Sequence, residues 1–435
     1  MTWQATLAIY GAVLLGCLLG GVSIGAAMGF VAVLGVTLVS GMTLWQTFGD
    51  SIWNILNTFT LVSIPLFVLM GEIILRSGIS RRFFAGTATL FAGVPGGLAH
   101  TSVVGSAVFS AIAGSTVATA LTIGTVALPE MRRRGYSDQL TLGCIAGGGC
   151  LGILIPPSIP MIVYASIVQE SVIDLFMAGV VPGLLLAAIF MAYVAVRVGL
   201  QPGLAPPRER WSLAPATLGR AVADTAPVVA LILSIIGGMY LGLVTPTEAA
   251  GFGCLVALAI GLAYRALTWS ALGEALRSAV VSSAVMMFIV VNAQILSFAV
   301  VQSGIGRGVS DALLALGVDR FLFFTLLVLL YLVLGMFIDG LSMILLTLPI
   351  LYPGIKAMGF DGIWVGVVLV VMIELGALTP PMGLNLFAIQ SISRETPLGA
   401  IARSALPFAA LILAFAYLLF AVPGLVLWLP QAMKG

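Results

Sequence analysis

The sequence predicts an all-α polytopic membrane protein built as an inverted repeat, with five spans and one re-entrant hairpin in each half and two broken helices. Three observations predict it. Of 435 residues, 61% are hydrophobic and 8% charged, against roughly 25% charged in a soluble domain. Diprolines interrupt two membrane-length apolar segments, at Pro156-Pro157 and Pro380-Pro381. Finally, glycine and proline landmarks recur at a nearly constant spacing.

Spans of about 20 apolar residues cross a bilayer. The first half, 1–200, is expected to hold them near 5–21, 23–40, 59–75, 139–168 and 174–198. The second, 220–435, is expected to hold them near 220–242, 247–266, 281–302, 362–391 and 404–428. Segments 139–168 and 362–391 contain the diprolines and are read as broken. A linker rich in proline and charge, 201–219, separates the halves (Gln201-Pro202 through Pro206-Pro207-Arg208-Glu209-Arg210). Two stretches that mix Trp with polar residues, 42–57 and 268–278, are expected to lie in the interface. The start, Met1-Thr2-Trp3-Gln4, carries no Lys or Arg, so the first apolar run is expected to stay as a span.

The repeat rests on residues that chance rarely aligns. At an offset of 224, Pro129 meets Pro353, Gly135 meets Gly359, Gly152 meets Gly376, and Pro156-Pro157 meets Pro380-Pro381. Ser77-Gly78-Ile79 meets Ser303-Gly304-Ile305 at 226, and Pro182 meets Pro407 at 225. Between these landmarks, about 101–130 and 322–353 are each too short for two spans. With Gly114-Ser115-Thr116 and Asp339-Gly340-Leu341-Ser342 at their middles, they read as re-entrant hairpins with arms of about 14 residues. Ser115 and Asp339 each lie 41 residues before their diproline.

Five spans plus a returning hairpin start the second half on the opposite face, so the repeats are inverted. The positive-inside rule then orients the chain. One choice places 14 Lys and Arg in the cytoplasm, including Arg76, Arg132, Arg208, Arg210 and Arg394, and 4 outside: Arg307, Arg320, Lys356 and Lys434. Both termini are then outside.

Proline lacks an N–H and its ring clashes with the carbonyl four residues back. The breaks therefore free the carbonyls of Gly152, Ile153, Gly376 and Ala377, tolerated in hydrocarbon only beside protein or a polar cavity. Paired breaks point to a transporter with its site near the midplane. Hard cations bind such oxygens, so two Na⁺ sites are expected. One would draw on Ser115, Thr116, Thr119, Ser158, Gly152 and Ile153, the other on Asp339, Ser342, Thr379, Gly376 and Ala377. Asp339 is the sharpest candidate, because an intramembrane carboxylate is functional by default, although Asp-Gly also favours turns. Glu374 poses the same question, as ion ligand or structural group. Helix N-termini at the tips and breaks suit an anion. Substrate candidates are Ser115, Pro156, Pro157, Gly340, Pro380, Pro381 and Asn385.

Other classes find little support. No Gly-Lys-Ser/Thr phosphate loop occurs, so an ion gradient rather than ATP is the expected drive. Nothing marks an intramembrane enzyme, and no basic cluster interleaved with aromatics suggests nucleic acid. The four cysteines lie in apolar segments without CxxC, and with one histidine no zinc site is expected. His100 reads as a packing residue before a proton relay, Glu248 as a helix cap, and Gly147-Gly148-Gly149 as a close-packing surface.

Gly114-Ser115-Thr116-Val117-Ala118-Thr119 and Leu128-Pro129-Glu130-Met131-Arg132-Arg133-Arg134-Gly135-Tyr136 resemble the TRAP transporter large membrane subunit (DctM type). So do Gly152 through Ser158, Thr245-Pro246-Thr247-Glu248-Ala249-Ala250 and Leu378-Thr379-Pro380-Pro381-Met382-Gly383-Leu384-Asn385. The likeness covers nearly the whole chain. It implies an elevator-type secondary transporter of the ion-transporter superfamily in a bacterial or archaeal cytoplasmic membrane. It also implies Na⁺-coupled import of a carboxylate-bearing solute, with no cofactor besides Na⁺. Implied partners are a periplasmic substrate-binding protein and a small four-span membrane subunit, here expected as a separate chain. The alternative is a self-sufficient Na⁺/carboxylate symporter of the same superfamily.

Overall fold

The computed structural model describes residues 2–41, 45–207 and 214–434. Arg208, Glu209 and Arg210 of the linker lie outside the described residues, as do Met1 and the start of the first interfacial stretch. Among the described residues the chain is helical with no strand. Among the described residues seven helices are long and apolar enough to cross a membrane, and shorter apolar helices accompany them.

In order, the first half comprises α1 (Trp3–Leu19), α2 (Ile24–Ser40), α3 (Gln46–Leu56), α4 (Phe59–Arg76), α5 (Ile79–Phe91), α6 (Gly97–Ala113), α7 (Thr116–Arg133), α8 (Asp138–Gly149), α9 (Ile159–Val168) and α10 (Val172–Leu200). The second comprises α11 (Pro215–Tyr240), α12 (Pro246–Ala263), α13 (Trp269–Gln302), α14 (Ile305–Ala315), α15 (Arg320–Gly335), α16 (Gly340–Ala357), α17 (Gly362–Ala377), α18 (Leu384–Ile392), α19 (Leu398–Ala421) and α20 (Gly424–Lys434).

The diproline segments break where expected, between α8 and α9 and between α17 and α18. Both Pro-Pro peptide bonds are cis. The hairpin arms α6/α7 and α15/α16 are longer than expected, 16 to 18 residues. One of them, Gly340–Ala357, is itself long and apolar enough to span, so length alone does not separate arms from spans.

Three boundaries differ from the sequence expectation. The stretch 268–278 is not a separate interfacial helix. It runs on into α13, a single helix of 34 residues, because nothing after Gly273 breaks it; its N-terminus is capped by Thr268, which accepts the Ala271 N–H at 3.1 Å. In the first half α3 does stand apart from α4, divided at Asn57-Thr58. The last span stops at Ala421, and Pro423 separates it from α20. Finally, α5 and α14 were not anticipated. Each starts after a left-handed glycine, Gly78 (φ 68°) or Gly304 (φ 69°), a conformation that costs glycine little. Their apolar faces carry Ile79, Phe83 and Phe84, and Ile305.

The halves interleave. α2 lies along α13, α4 along α12 and α13, and α11 along α12. A second group joins α8 to α6, α7 and α19, α15 to α17, and α18 to α7. Between the groups, α5 touches α11 and α6, while α14 touches α1 and α16.

Two smaller expectations hold. Glu248 and Thr245 form a capping box, with Glu248 Oε2 accepting the Thr245 N–H at 2.8 Å. The glycine run lets α8 pack closely, since a Cβ at Gly148 would stand 2.6 Å from Ser106 Oγ.

Candidate functional site at the hairpin tips

Each hairpin turns on a residue whose side chain caps the returning arm. Ser115 Oγ faces the Ala118 N–H at 3.5 Å, and Asp339 Oδ1 accepts the Ser342 N–H at 3.1 Å. Such caps satisfy amides that a helix start leaves unpaired. Gly114, just before the first cap, has φ 56°.

Each tip rests on the break of its own half. A Cβ on Gly152 would lie 2.7 Å from Thr116 Cα, and one on Gly114 would lie 3.3 Å from the Pro157 carbonyl. In the second half Gly376 and Gly335 exclude each other's Cβ at 2.6 Å. Glycine is required at Gly152 and Gly376 for close backbone approach rather than for φ.

The tips also meet one another. A cavity of about 150 Å³ is lined by Ser115, Thr116, Ile153, Asp339, Ala377 and Asn385. The first residues of α7, α9, α16 and α18 all border it. Four helix N-termini thus direct partial positive charge at one small space, with carboxylate, hydroxyl and amide oxygens among them.

Hydrogen bonds tie the halves together here, two of them shorter than 3 Å. Thr116 Oγ1 donates to Glu374 Oε1 at 2.6 Å, and Asn385 Nδ2 donates to the Ala146 carbonyl at 2.8 Å. Glu374 and Asn385 are both fully buried.

Of the residues expected from sequence, Ser115, Thr116, Ile153, Asp339, Gly340, Ala377 and Asn385 are brought together at the cavity. Gly152 and Gly376 lie behind it as packing surfaces. Thr119, Ser158 and Ser342 are fully buried beside the tips and breaks, and their hydroxyls have no protein partner. Thr379 Oγ1 donates to the Leu375 carbonyl at 2.7 Å. The Gly376 carbonyl, expected to be freed, accepts the Thr379 N–H at 3.0 Å. Pro156 and Pro157 are buried, whereas Pro381 is exposed. His100 stacks on Phe91, and its Nε2 faces the Pro95 carbonyl at 3.1 Å, as a packing residue would.

Sequence reasoning missed the clamp at the base of the first hairpin. Arg132, read from the sequence as a topological marker and as part of the family motif, pairs with Asp138 at 2.8 Å and with Glu395, and reaches Ser393 and Thr396 at 3.0 and 3.1 Å. Its guanidinium is pushed up by the Asp138 carboxylate and then by Glu395. Glu395 is held below the usual carboxylate range, first by its own backbone N–H and then by Arg132. No local motif signals a partner 263 residues away.

The solved structure of the Alcanivorax borkumensis YdaH transporter superposes with a TM-score of 0.62 at 17% identity, covering 88% of this chain and 89% of that one. The likeness supports the fold alone. By sequence, the chain is 33% identical to the C4-dicarboxylate TRAP transporter large permease protein DctM of Pseudomonas aeruginosa, over 86% of each chain. It is 31% identical to the sialic acid TRAP transporter large permease protein SiaM of Vibrio cholerae, over 97% of each. The model of the tripartite ATP-independent periplasmic transporter, DctM component, matches residues 12–425. The chain therefore belongs to the DctM family and is the large permease subunit of a TRAP transporter, a multi-pass membrane protein.

Proposed function

We propose that this subunit imports a carboxylate-bearing solute into the cell, driven by Na⁺ and by an elevator movement. A periplasmic substrate-binding protein would deliver the solute and a small membrane subunit would support the scaffold. The observation that carries the reading is the single cavity where both hairpin tips and all four of those helix N-termini converge. Inward-pointing N-termini favour the solute's carboxylate, while Asp339 and the tip hydroxyls favour Na⁺. C4-dicarboxylates and sialic acid, named for the two relatives, are both carboxylates.

The packing supports an inverted repeat and a division of labour. Matched caps, breaks and glycine contacts recur in both halves. α6–α10 with α15–α20 would be the moving body, and α1–α4 with α11–α13 the scaffold. α5 and α14, packed against both groups, would be the connecting arms. The arginine bias favours both termini lying outside the cytoplasmic membrane.

The test is uptake in liposomes holding this chain with its small subunit, with binding protein outside and a Na⁺ gradient applied. Accumulation that needs both Na⁺ and binding protein is expected. Transport by this chain alone, without binding protein, would overturn the reading in favour of a self-sufficient symporter.

A further inference from the structure

We propose that Glu374 is a sodium ligand that reaches from the second half of the chain into the ion cluster of the first. The inference rests on the Na⁺-coupled reading above and deepens it. Glu374 lies in the last turn of α17 with no exposed surface. One carboxylate oxygen accepts the Thr116 hydroxyl at 2.6 Å; the other has no protein partner. The Ile153 backbone and the Cys150 side chain are the remaining groups that act on it, and neither brings positive charge. In so dry a place a carboxyl either keeps its proton or takes a cation as its partner, and the unpartnered oxygen leaves room for the cation.

The neighbours suit Na⁺. Thr116 and Ile153 are sequence candidates for the first ion site, and they are the groups that Glu374 meets. A second buried oxygen without a protein partner, Asn385 Oδ1, belongs to the same cluster. Cys150 links the two, because its thiol donates to the Glu374 carbonyl at 3.6 Å and receives Asn385 Nδ2 at 3.7 Å.

Repeat symmetry explains why one carboxylate crosses over. The 224-residue offset pairs Asp339 with Ser115 and Glu374 with Cys150. The Ser115–Thr116 tip and the first break therefore have no carboxylate of their own. Glu374 supplies one from across the repeat, so that each ion cluster has a single acidic group.

The test compares wild type with Glu374→Gln, which keeps an acceptor for Thr116 and removes the charge. Na⁺-dependent thermal stabilisation of the purified membrane complex is measured first, then Na⁺-dependent uptake with binding protein present. The half-saturating Na⁺ concentration is expected to rise at least about tenfold in both. A wild-type Na⁺ response in Glu374→Gln overturns the role of Glu374 alone. A wild type indifferent to Na⁺ overturns the coupling reading and this inference together. Should Glu374→Gln fail to assemble, Glu374→Asp is read in the same way: a raised Na⁺ requirement supports the inference and an unchanged one overturns it.

Discussion

Around the first break every residue from Leu151 to Pro160 is buried, whereas around the second Pro381 and Met382 are exposed and Thr379 and Pro380 only half-buried. The difference traces to the second helix after each break, α10 and α19. In α10, Gly179 and Gly183 let the backbone settle onto the first break: a Cβ at Gly179 would stand 2.8 Å from the Leu154 carbonyl, and one at Gly183 would stand 2.6 Å from the Ile155 side chain. At the 225-residue offset that aligns Pro182 with Pro407, the equivalents in α19 are Ser404 and Phe408. They pack instead on Gly143 and Gly147 of α8. One backbone device thus sits in two environments, and the size of two side chains decides which.

The breaks are most alike in their glycines, so the comparison breaks most severely there. Gly152→Ala and Gly376→Ala each drive a methyl into backbone that cannot rotate away. Each is expected to cost about 1–3 kcal/mol by overpacking, with loss of assembled subunit on size-exclusion and of uptake. A tolerated alanine at either position would show that the tip does not rest on its break. The tips themselves differ in charge. Asp339→Asn is expected to raise the half-saturating Na⁺ concentration about tenfold, and Ser115→Ala to raise it less, because a neutral oxygen contributes roughly half as much as an ionised one. Equal effects would mean that Asp339 acts only as a cap.

What was legible in the sequence follows from what is local. Proline and glycine dictate backbone geometry by themselves, so both breaks, both tips and their spacing could be read directly. The amphipathic α5 and α14 leave a weaker signal, visible only in the landmarks Ser77-Gly78-Ile79 and Ser303-Gly304-Ile305. The continuity of α13 was lost because a Trp-bearing amphipathic start resembles a separate interfacial helix. Least legible were the bonds between halves: Thr116 to Glu374, Asn385 to Ala146, Arg132 to Glu395. Each depends on how two distant segments interleave. Glu374 stands out in the sequence as a charge in an apolar segment, but nothing local to it identifies Thr116 as its partner.

Exposure gives the next contrast. Cysteine at Met382 is expected to react with a small maleimide, while cysteine at Ser158 stays protected; a labelling rate at least about tenfold apart is the outcome to look for. Comparable labelling would mean that the first break opens as readily as the second.

The smallest effects concern the hairpin bases, where the proposed repeat again supplies a matched pair. Arg132 and Lys356 are equivalent at an offset of 224, and their partners Glu395 and Glu170 at 225. Arg132 makes several contacts in a fixed fork, whereas Lys356 stands 3.8 Å from Glu170. A guanidinium and an ammonium are not interchangeable in such roles, so Arg132→Lys is expected to lower the unfolding temperature more than Lys356→Arg raises it. Because the folded state depresses the Glu395 carboxyl, its contribution is fully present above the ordinary carboxylate range. It is lost as pH falls through the depressed value. Wild type and Glu395→Gln should therefore unfold at different temperatures at neutral pH and converge below about pH 4. A gap that persists in acid would mean that Glu395 acts through packing instead of charge.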